Sequence, residues 1–444
     1  MSWPTDLREM LNGKEVLIIN ARAPTALLET ASHSEITDIN LMLDQGRIVG
    51  INPAHNPGFE GPVIDLDGGL ILPCFTDIHT HLDKGHIWPR QQNPNGTFEG
   101  ALSSVMEDRE ANWTTEDVRA RMTFSLECAY HHGTAAIRTH LDSPGKQAAI
   151  SWPLFEEIRS EWSDRIELQA ASLFGIDAMD HEAFLPALLP HITKAGGILG
   201  AVAYPVPRLE EHLETLFKTS IDHSLTLDFH ADETRDPSSD CLLKIAETAK
   251  RLKFEGQVLV GHCCSLARQR ADTIDRTLDV VADAGLGVVS LPLCNLYLQD
   301  RLYDGQAPIT PHWRGVTLLH EMKARGIPVM IASDNTRDPF YSYGDLDMLE
   351  VYREATRIAH LDHPVGDWPG AVTKTSAAFG EFAASSCLSE GRPADIVLFR
   401  ARSWTELFAR PQYDRIVVRG GRAIDTALPD YRVLDPIVGE PKHD

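Results

Sequence analysis

The chain has 444 residues, which is enough for one large barrel domain with a smaller domain attached. Its 41 basic and 64 acidic side chains give a formal net charge of −23, and this balance disfavours nucleic acid and anionic membranes as partners. Hydrophobic residues make up 43% of the chain, but none of the apolar runs reaches about 18 residues, so we expect a sizeable core and no transmembrane helix.

The N-terminus and the cysteines indicate the cellular compartment. The first residues, MSWPTDLREM, lack the basic start and apolar stretch of a secretion signal. The 7 cysteines are odd in number and scattered along the chain, as in proteins whose thiols stay reduced. We therefore predict a cytoplasmic protein.

Both ends of the chain have the pattern of β-structure. Short apolar runs alternate with turns in EVLIINARA, EITDINLMLDQGRIVGI and PVIDLDGGLILP near the start. The same pattern returns near the end in GRPADIVLFRA and DRIVVRGGRAI. We predict one small β domain built from both termini, residues 1–68 and 386–444.

The middle of the chain, residues 69–385, has a different pattern. Continuous runs rich in Val, Ile and Leu alternate there with helical stretches, as is typical of parallel strands buried on both faces. The runs occupy residues 69–81, 134–142, 165–175, 196–204, 225–233, 256–264, 285–293 and 327–335. Eight such strands separated by helices predict a (β/α)₈ TIM barrel, so the fold class is α/β.

Side chains suited to catalysis follow the ends of these strands. They are His79 and His81 after the first, His140 and Asp142 after the second, His230 and Glu233 after the fifth, His262 after the sixth, and Asp334 and Asn335 after the eighth. A barrel gathers the carboxyl ends of all its strands around one mouth, where barrel enzymes carry out their chemistry. Residues far apart in the sequence are therefore expected to converge there.

Four of these residues form a candidate metal site. His79 and His81 lie two residues apart on a strand and point the same way, so both can bind one ion. With His230 and Asp334 they supply three imidazoles and a carboxylate, which suit Zn²⁺ or Fe²⁺ with one position left for water. Each also has an ordinary explanation, since a strand-end histidine can simply be hydrogen-bonded and Asp334 can cap a helix.

Two further residues are candidates for proton transfer. Glu233 lies three residues beyond His230, where a carboxylate can take a proton from an activated water and deliver it to a substrate nitrogen. Alternatively, it caps a helix or pairs with Arg235. His262 either hydrogen-bonds the attacking water and the developing charge, or is a hydrogen-bonded histidine of the core.

The segments FTDIHTHLDK, DFHADE, VGHCC and ASDNTRDPF, in this order, resemble the amidohydrolase superfamily, and specifically its cytosine deaminase branch. The resemblance covers essentially the whole chain, including GRIVGI and GRPADIVLF in the two terminal segments. It implies that one divalent metal ion is held by His79, His81, His230 and Asp334. It also implies that Glu233 shuttles protons and that His262 assists the attacking water.

Three features depart from the cytosine deaminases. Those enzymes carry two successive aspartates at strand eight, where this chain has Asp334 and Asn335. SDNTRD and HLDK instead resemble N-isopropylammelide aminohydrolase, which makes Lys84 and Asn335 candidate substrate contacts, the alternative for Lys84 being a solvated surface lysine. That triazine enzyme, however, lacks the glutamate present here as Glu233. The glutamine of cytosine deaminases after strand three is also missing, and the nearby Phe174 either stacks on a flat heterocycle or belongs to the core.

The number of metal ions is indicated by strand four. It ends in AVAYPVPR, without the lysine that bridges two metals in hydantoinase-like relatives, so we expect one ion per chain. Trp88, in the loop after strand one, is a further candidate for stacking on the substrate, or it packs in a lid or an oligomer contact. A homo-oligomer is expected by family analogy.

These observations predict a metal-dependent aminohydrolase that replaces an exocyclic amino group of an N-heterocycle by oxygen and releases ammonia. Asp334 would accept a proton from the attacking water in addition to binding the metal. Pyrimidines, pterins, purine-like rings and triazines all remain open as small-molecule substrates. The alternative is a hydrolase of a cyclic amide or an N-alkylamino triazine that uses the same water. A non-catalytic metal-binding protein is disfavoured, because the ligand set is complete and Glu233 accompanies it.

Overall fold

The protein consists of two β-sheets near the chain ends and a barrel between them, in a computed structural model that describes residues 3, 7–29, 34–52, 59–301, 308–384 and 386–440. The strands are β1 (Val16–Pro24), β2 (Ile36–Asp44), β3 (Arg47–Ile51), β4 (Val63–Asp65), β5 (Ile71–Pro73), β6 (Phe75–Thr80), β7 (Thr134–Asp142), β8 (Glu167–Leu173), β9 (Leu199–Ala203), β10 (Leu227–Ala231), β11 (Val258–His262), β12 (Gly287–Ser290), β13 (Val329–Ile331), β14 (Ile396–Leu398), β15 (Ile416–Arg419) and β16 (Arg422–Ala423). The α-helices are α1 (Leu7–Met10), α2 (Phe98–Asn112), α3 (Thr115–His132), α4 (Ala148–Glu161), α5 (Phe184–Ala195), α6 (Leu209–His223), α7 (Cys241–Leu252), α8 (Ala271–Asp283), α9 (Pro292–Leu298), α10 (Leu319–Ala324), α11 (Met348–Ala359), α12 (Lys374–Phe379), α13 (Trp404–Ala409) and α14 (Asp435–Val438).

The barrel is formed by β6 to β13, and each of the eight predicted runs contains one of these strands. Hydrogen bonds join β6, β7 and β8 in one parallel sheet and β9 to β13 in a second. Backbone bridges between Ala171 and Ile198 and between Thr80 and Asp334 connect the two sheets into a closed ring. At the second bridge the N–H of Asp334 donates to the carbonyl of His79 at 2.9 Å, so the first and last strands meet at two predicted ligands.

Alternate residues of the barrel strands face two different cores. Val258 and Val260 of β11 pack in the main core, which includes the surrounding helices, whereas Leu259 belongs to a smaller core inside the barrel. The pleat of a strand sends successive side chains to opposite faces. In β10, Phe229 packs in the main core, so the next residue, His230, faces the inside of the barrel.

The small β-structure draws on both ends of the chain. One sheet has the order β3-β2-β1-β4, and the other has the order β16-β15-β14-β5. Ile18 and Leu41 from the start and Ile396 and Val418 from the end pack in one shared core. The predicted fold class, an α/β barrel with a small β domain from both termini, is confirmed.

The boundaries at residues 68/69 and 385/386 stay a prediction, and residues 1–2, 4–6, 30–33, 53–58, 302–307, 385 and 441–444 within the three predicted segments lie outside the described residues. In the described part of the chain, no helix is both long and apolar enough to cross a membrane.

Candidate active site

The four residues predicted as metal ligands lie together at the mouth of the barrel. His81 Nε2 is 3.1 Å from Asp334 Oδ1 and 3.3 Å from His230 Nε2. His79 Nε2 is 3.6 Å from the same Asp334 oxygen. None of the four residues is more than 5% exposed. Strand ends separated by more than 250 residues in the sequence, as His79 and Asp334 are, thus contribute to one buried cluster.

This cluster fits a divalent metal ion. Among the described residues, none forms a hydrogen bond with either ring nitrogen of His79, with Nδ1 of His230 or with Oδ2 of Asp334, although all these atoms are buried. Buried polar atoms without partners are costly, and a cation would satisfy them. Burial, together with nearby positive groups, lowers the pKa of His79 and His230 well below the ordinary value, so both rings are neutral and can donate lone pairs.

A further histidine, His140 at the end of β7, reaches the same cluster. Its ring centroid lies 4.1 Å from that of His79 and 4.6 Å from that of His230. Its Nε2 is also 3.1 Å from Oδ1 of Asp228, which lies two residues before His230 on β10. The sequence placed His140 at the mouth without a role, and the structure adds it to the imidazoles that could contact an ion or a water.

Glu233 and His262 form a triad with Asn295, a residue of α9. Glu233 Oε1 accepts a hydrogen bond from Asn295 Nδ2 at 3.2 Å and lies 3.3 Å from His262 Nδ1. Asn295 Nδ2 is also 3.0 Å from His262 Nδ1. The alternative that Glu233 pairs with Arg235 is wrong, since Arg235 lies 3.5 Å from Asp300 instead.

The triad has shifted proton affinities. Burial raises the pKa of Glu233 well above 4.5, and the neighbouring charge of Asp334 raises it further. Both effects favour the protonated form of Glu233. Burial lowers the pKa of His262 to about 4, so its ring is neutral. A protonated carboxyl group beside a neutral imidazole is an arrangement suited to general acid–base chemistry.

The backbone around His262 explains why a glycine precedes it. A Cβ on Gly261 would lie only 2.9 Å from Cε1 of His79, so any side chain there would collide with the metal-site imidazole. His262 itself adopts a left-handed conformation with φ of 71°, which is uncommon for a non-glycine residue and typical of functional sites. Its Nε2 is buried without a hydrogen-bond partner among the described residues.

Lys84 lies inside the site and not on the surface. Its side chain is 6% exposed, and its Nζ is 3.6 Å from Asp142 Oδ1 and 5.0 Å from the centre of the Phe340 ring. Burial alone would lower the pKa of Lys84, but the carboxylates of Asp142 and Asp338 raise it above its ordinary value, so the ammonium group stays charged. The interpretation of Lys84 as a solvated surface residue is wrong.

The remaining candidates for substrate contact have different surroundings. Asn335 is buried, with its Nδ2 donating to Asp338 Oδ2 at 2.7 Å, so one end of its amide is already bound within the protein. Phe174 is 3% exposed in the main core, and its ring packs edge-on against Phe184 at 4.8 Å, which favours the second of its two interpretations. Trp88 is half-buried, and its backbone N–H donates to the carbonyl of Arg337 at 2.9 Å.

Comparisons with known proteins identify the family. The sequence profile of the amidohydrolase family matches residues 131–424. A pterin deaminase from Rhizobium rhizogenes is 48% identical over 96% of this chain and 98% of its own length. This chain belongs to the amidohydrolase family. A 5-methylcytosine deaminase from Klebsiella pneumoniae, solved with phosphonocytosine, has a TM-score of 0.77 and 25% identity over 93% of this chain and 98% of that one. An atrazine chlorohydrolase from Arthrobacter aurescens, solved with zinc, has a TM-score of 0.63 and 17% identity over 95% of this chain and 99% of that one.

These comparisons confirm the predicted class of enzyme, a hydrolase of carbon–nitrogen bonds related to the heterocycle deaminases. The family depends on divalent metal ions, and the buried histidine-rich cluster supplies the groups that such an ion requires.

Proposed function

We propose that this amidohydrolase deaminates a pterin, a bicyclic heterocycle with an exocyclic amino group, by replacing that group with oxygen. The 48% identity to a pterin deaminase over 96% of the chain supports this substrate class. The observation that carries the chemistry is the buried carboxyl group of Glu233, whose Oε1 lies 3.3 Å from His262 Nδ1 beside the cluster of histidines at one mouth. In the net reaction, the amino-bearing ring carbon and one water give a ring carbonyl and ammonia.

The proposed metal site consists of His79, His81, His230 and Asp334, which would hold one divalent ion, either Zn²⁺ or Fe²⁺. When bound, such an ion would lower the pKa of a water from about 15.7 towards neutrality, which is the chemistry it would supply here. Asp334 has a second task. Burial would raise its pKa, but the hydrogen bond from His81 and nearby imidazoles lower that pKa to about 2, so its carboxylate is ionised and can receive a proton from the attacking water.

Glu233 is the proposed proton donor. Its protonated carboxyl group would protonate the ring nitrogen next to the reacting carbon, which makes that carbon more electrophilic. The resulting carboxylate can then take the proton that Asp334 received and pass it to the amino group, so that ammonia leaves as a neutral molecule. As ammonia leaves, the hydroxyl proton of the adduct passes to Glu233, which gives the ring carbonyl and restores the protonated carboxyl group. The contacts of Glu233 Oε1 with Asn295 and His262 fix the carboxyl group for both transfers.

His262 and Lys84 would bind the polar atoms of the substrate and intermediate. If Asn295 Nδ2 donates to Nδ1 of His262, the neutral ring carries its proton on Nε2, which can then donate to the developing negative oxygen. The buried ammonium group of Lys84 can donate hydrogen bonds to acceptor atoms of the heterocycle. We propose Trp88 as a contact at the outer edge of the ring. Asn335 would contact the substrate through its side-chain amide, by the N–H that is not donated to Asp338 or by Oδ1.

The test is ammonia release by the metal-loaded protein from pterin, cytosine, an aminotriazine and an N-alkylamino triazine, at equal concentrations. We expect pterin to react with the highest kcat/KM. Its product should be about 1 Da heavier than pterin, since the reaction replaces NH by O in the molecular formula. Exclusive turnover of the N-alkylamino triazine, with release of the alkylamine, would replace the proposal by the alternative hydrolase. Failure of every compound, with one metal ion bound per chain, would refute deamination of these rings.

A further inference from the structure

The turn that carries Lys84 is built without helix or strand hydrogen bonds. It begins at the metal-site residue His81, whose carbonyl accepts the N–H groups of Lys84 at 3.4 Å and Gly85 at 3.2 Å. At its far end, the N–H of His86 donates to the carbonyl of Thr336 at 2.9 Å. These few bonds leave the carbonyls on either side of Lys84, those of Asp83 and Gly85, to be satisfied from elsewhere.

Arg121 satisfies both of them. Its Nη1 donates to the carbonyl of Asp83 at 2.5 Å and to that of Gly85 at 3.1 Å, so one nitrogen binds the backbone on both sides of Lys84. Arg121 has 0% exposure. A fully buried guanidinium requires a counter-charge, which Asp117 provides through Nε at 3.0 Å and Nη2 at 2.6 Å.

Asp117 is in turn fixed by the local structure of α3. The side chain of Thr114 caps the helix by accepting from the N–H of Asp117 at 3.3 Å, and Asp117 and Arg121 are one turn apart on the same face. Asp117 also binds Arg90, whose Nη1 lies 2.5 Å from Oδ1. Arg90 in turn binds both carboxylate oxygens of Asp108 at 2.8 Å.

Arg90, Asp108, Asp117 and Arg121 thus form a chain of two cations and two anions, the arginine–aspartate chain. It binds the segment after β6 at two points, through the carbonyls beside Lys84 and through Arg90 itself. The hydrogen bonds of Arg90 and Arg121 go to aspartates and backbone carbonyls and not to a side chain of the metal cluster. The arginine–aspartate chain therefore takes no direct part in proton transfer or metal binding. It does determine where the backbone of Lys84 lies.

We infer that Arg121 is a positioning residue for the deamination proposed above, because it fixes the turn that aims Lys84 at the substrate. The planar guanidinium is essential to this task. Four of its N–H bonds are used in a fixed geometry, two towards Asp117 and two towards the carbonyls. A lysine at this position keeps the charge but is a single point donor that cannot bridge both carbonyls while pairing with Asp117.

The decisive variant is Arg121→Lys, with Arg119→Lys as its matched control. Arg119 lies on the same helix, but its side chain is 33% exposed and it pairs with Glu157 and Glu161 at the surface. Arg121→Lys should lower kcat/KM for pterin by about 10- to 100-fold, mainly through KM, with metal content unchanged. Hydrogen–deuterium exchange should accelerate in residues 82–88 of Arg121→Lys alone.

A double-mutant cycle with Lys84→Met distinguishes positioning from a general structural role. If Arg121 acts through Lys84, adding Arg121→Lys to Lys84→Met should change kcat/KM by less than about threefold. An equal loss in both backgrounds, or unchanged exchange in residues 82–88, would overturn the inference. If Arg121→Lys does not fold, Arg90→Lys serves as a second variant, because Arg90 binds the same Asp117. It should lower kcat/KM by a smaller factor, and this loss should also disappear in the Lys84→Met background. A loss that persists in that background would equally overturn the inference.

The two proposals fail separately. Exchange in residues 82–88 is measured without substrate, so faster exchange in Arg121→Lys together with no turnover of pterin by the unmodified enzyme would refute the substrate and keep the positioning role.

Discussion

Replacing Glu233 by Gln separates proton transfer from metal binding at this site. Glutamine has the same shape, and its Oε1 can still accept from Asn295 Nδ2, which lies 3.2 Å from the present carboxyl oxygen. The amide, however, cannot release a proton to the ring nitrogen. The change therefore removes one chemical step and leaves the surrounding hydrogen bonds in place.

The expected loss follows from the protonation state of Glu233. Burial and the charge of Asp334 raise the pKa of Glu233 well above 4.5, which favours the protonated form that donates to the ring nitrogen. General acid–base catalysis contributes about 10²- to 10⁴-fold, and a group that acts twice in one turnover belongs at the upper end. We expect kcat to fall by about 10³-fold or more, which corresponds to about 4 kcal/mol or more of transition-state stabilisation.

The assay is steady-state ammonia release over a range of pH, with metal content measured on the same samples. In the unmodified enzyme, activity should decrease at high pH as Glu233 loses its proton, and this decrease should be absent from the residual activity of Glu233→Gln. Glu247→Gln, a surface change at a residue that pairs with Arg276, is the control. Loss of the metal in Glu233→Gln would make Glu233 a ligand, and activity within tenfold of the unmodified enzyme would refute its role as proton carrier.

Asn295→Ala should lower kcat/KM by about 10- to 100-fold without loss of metal, because it frees Glu233 and His262; kinetics and metal analysis on one sample would check this. Removing the metal with a chelator should abolish ammonia release. It should also lower the midpoint temperature of unfolding by about a few degrees, since an ion that binds only the folded state stabilises it. Calorimetry before and after adding Zn²⁺ would show whether the midpoint recovers. Arg415→Met should cost about 3–5 kcal/mol in urea unfolding, because it leaves buried Asp347, now bound at 2.7 and 2.6 Å, without its counter-charge. Burial would raise the pKa of Asp347, but Arg415 lowers it to about 2. The stability that this pair contributes should therefore be complete above about pH 5 and disappear as the pH falls from about 4 to 2. An equal loss of stability in acid for Arg415→Met would contradict this.

The convergence of the histidine-rich cluster was predictable because it follows from the topology of the barrel. Parallel strands that close into a ring bring their carboxyl ends together, so a histidine or aspartate at each end converges whatever the loops do. His79, His230 and Asp334 needed no information beyond strand ends and residue types. Even the seam between the first and last strands, where Asp334 binds the carbonyl of His79, follows from that closure.

Residues outside the strand ends could not be placed in this way. Asn295 lies on a short helix after β12, and its position depends on how that helix packs, although a lone amide in the apolar run PLCNLYL was a signal that it is buried for a reason. Arg121 lies in the middle of α3, where an arginine is ordinarily a surface residue, and only the tertiary contact with the turn after β6 reveals its partners. The role of Phe174 could not be decided from the sequence, because an aromatic residue at a strand end has the same sequence signature in a core and in a binding site.

Net charge was the least informative property at the site itself. The charge of −23 is an average over the whole chain and does not reveal that Lys84 is 5% exposed and Arg121 fully buried near the mouth. The acidic residues make this possible, because Asp142 neutralises Lys84 and Asp117 neutralises Arg121. Each buried cation is thereby kept charged in a medium of low dielectric constant, where an ammonium group forms stronger hydrogen bonds than it does in water. The acidic composition thus supplies the counter-charges that allow cations to be buried near the mouth of the barrel.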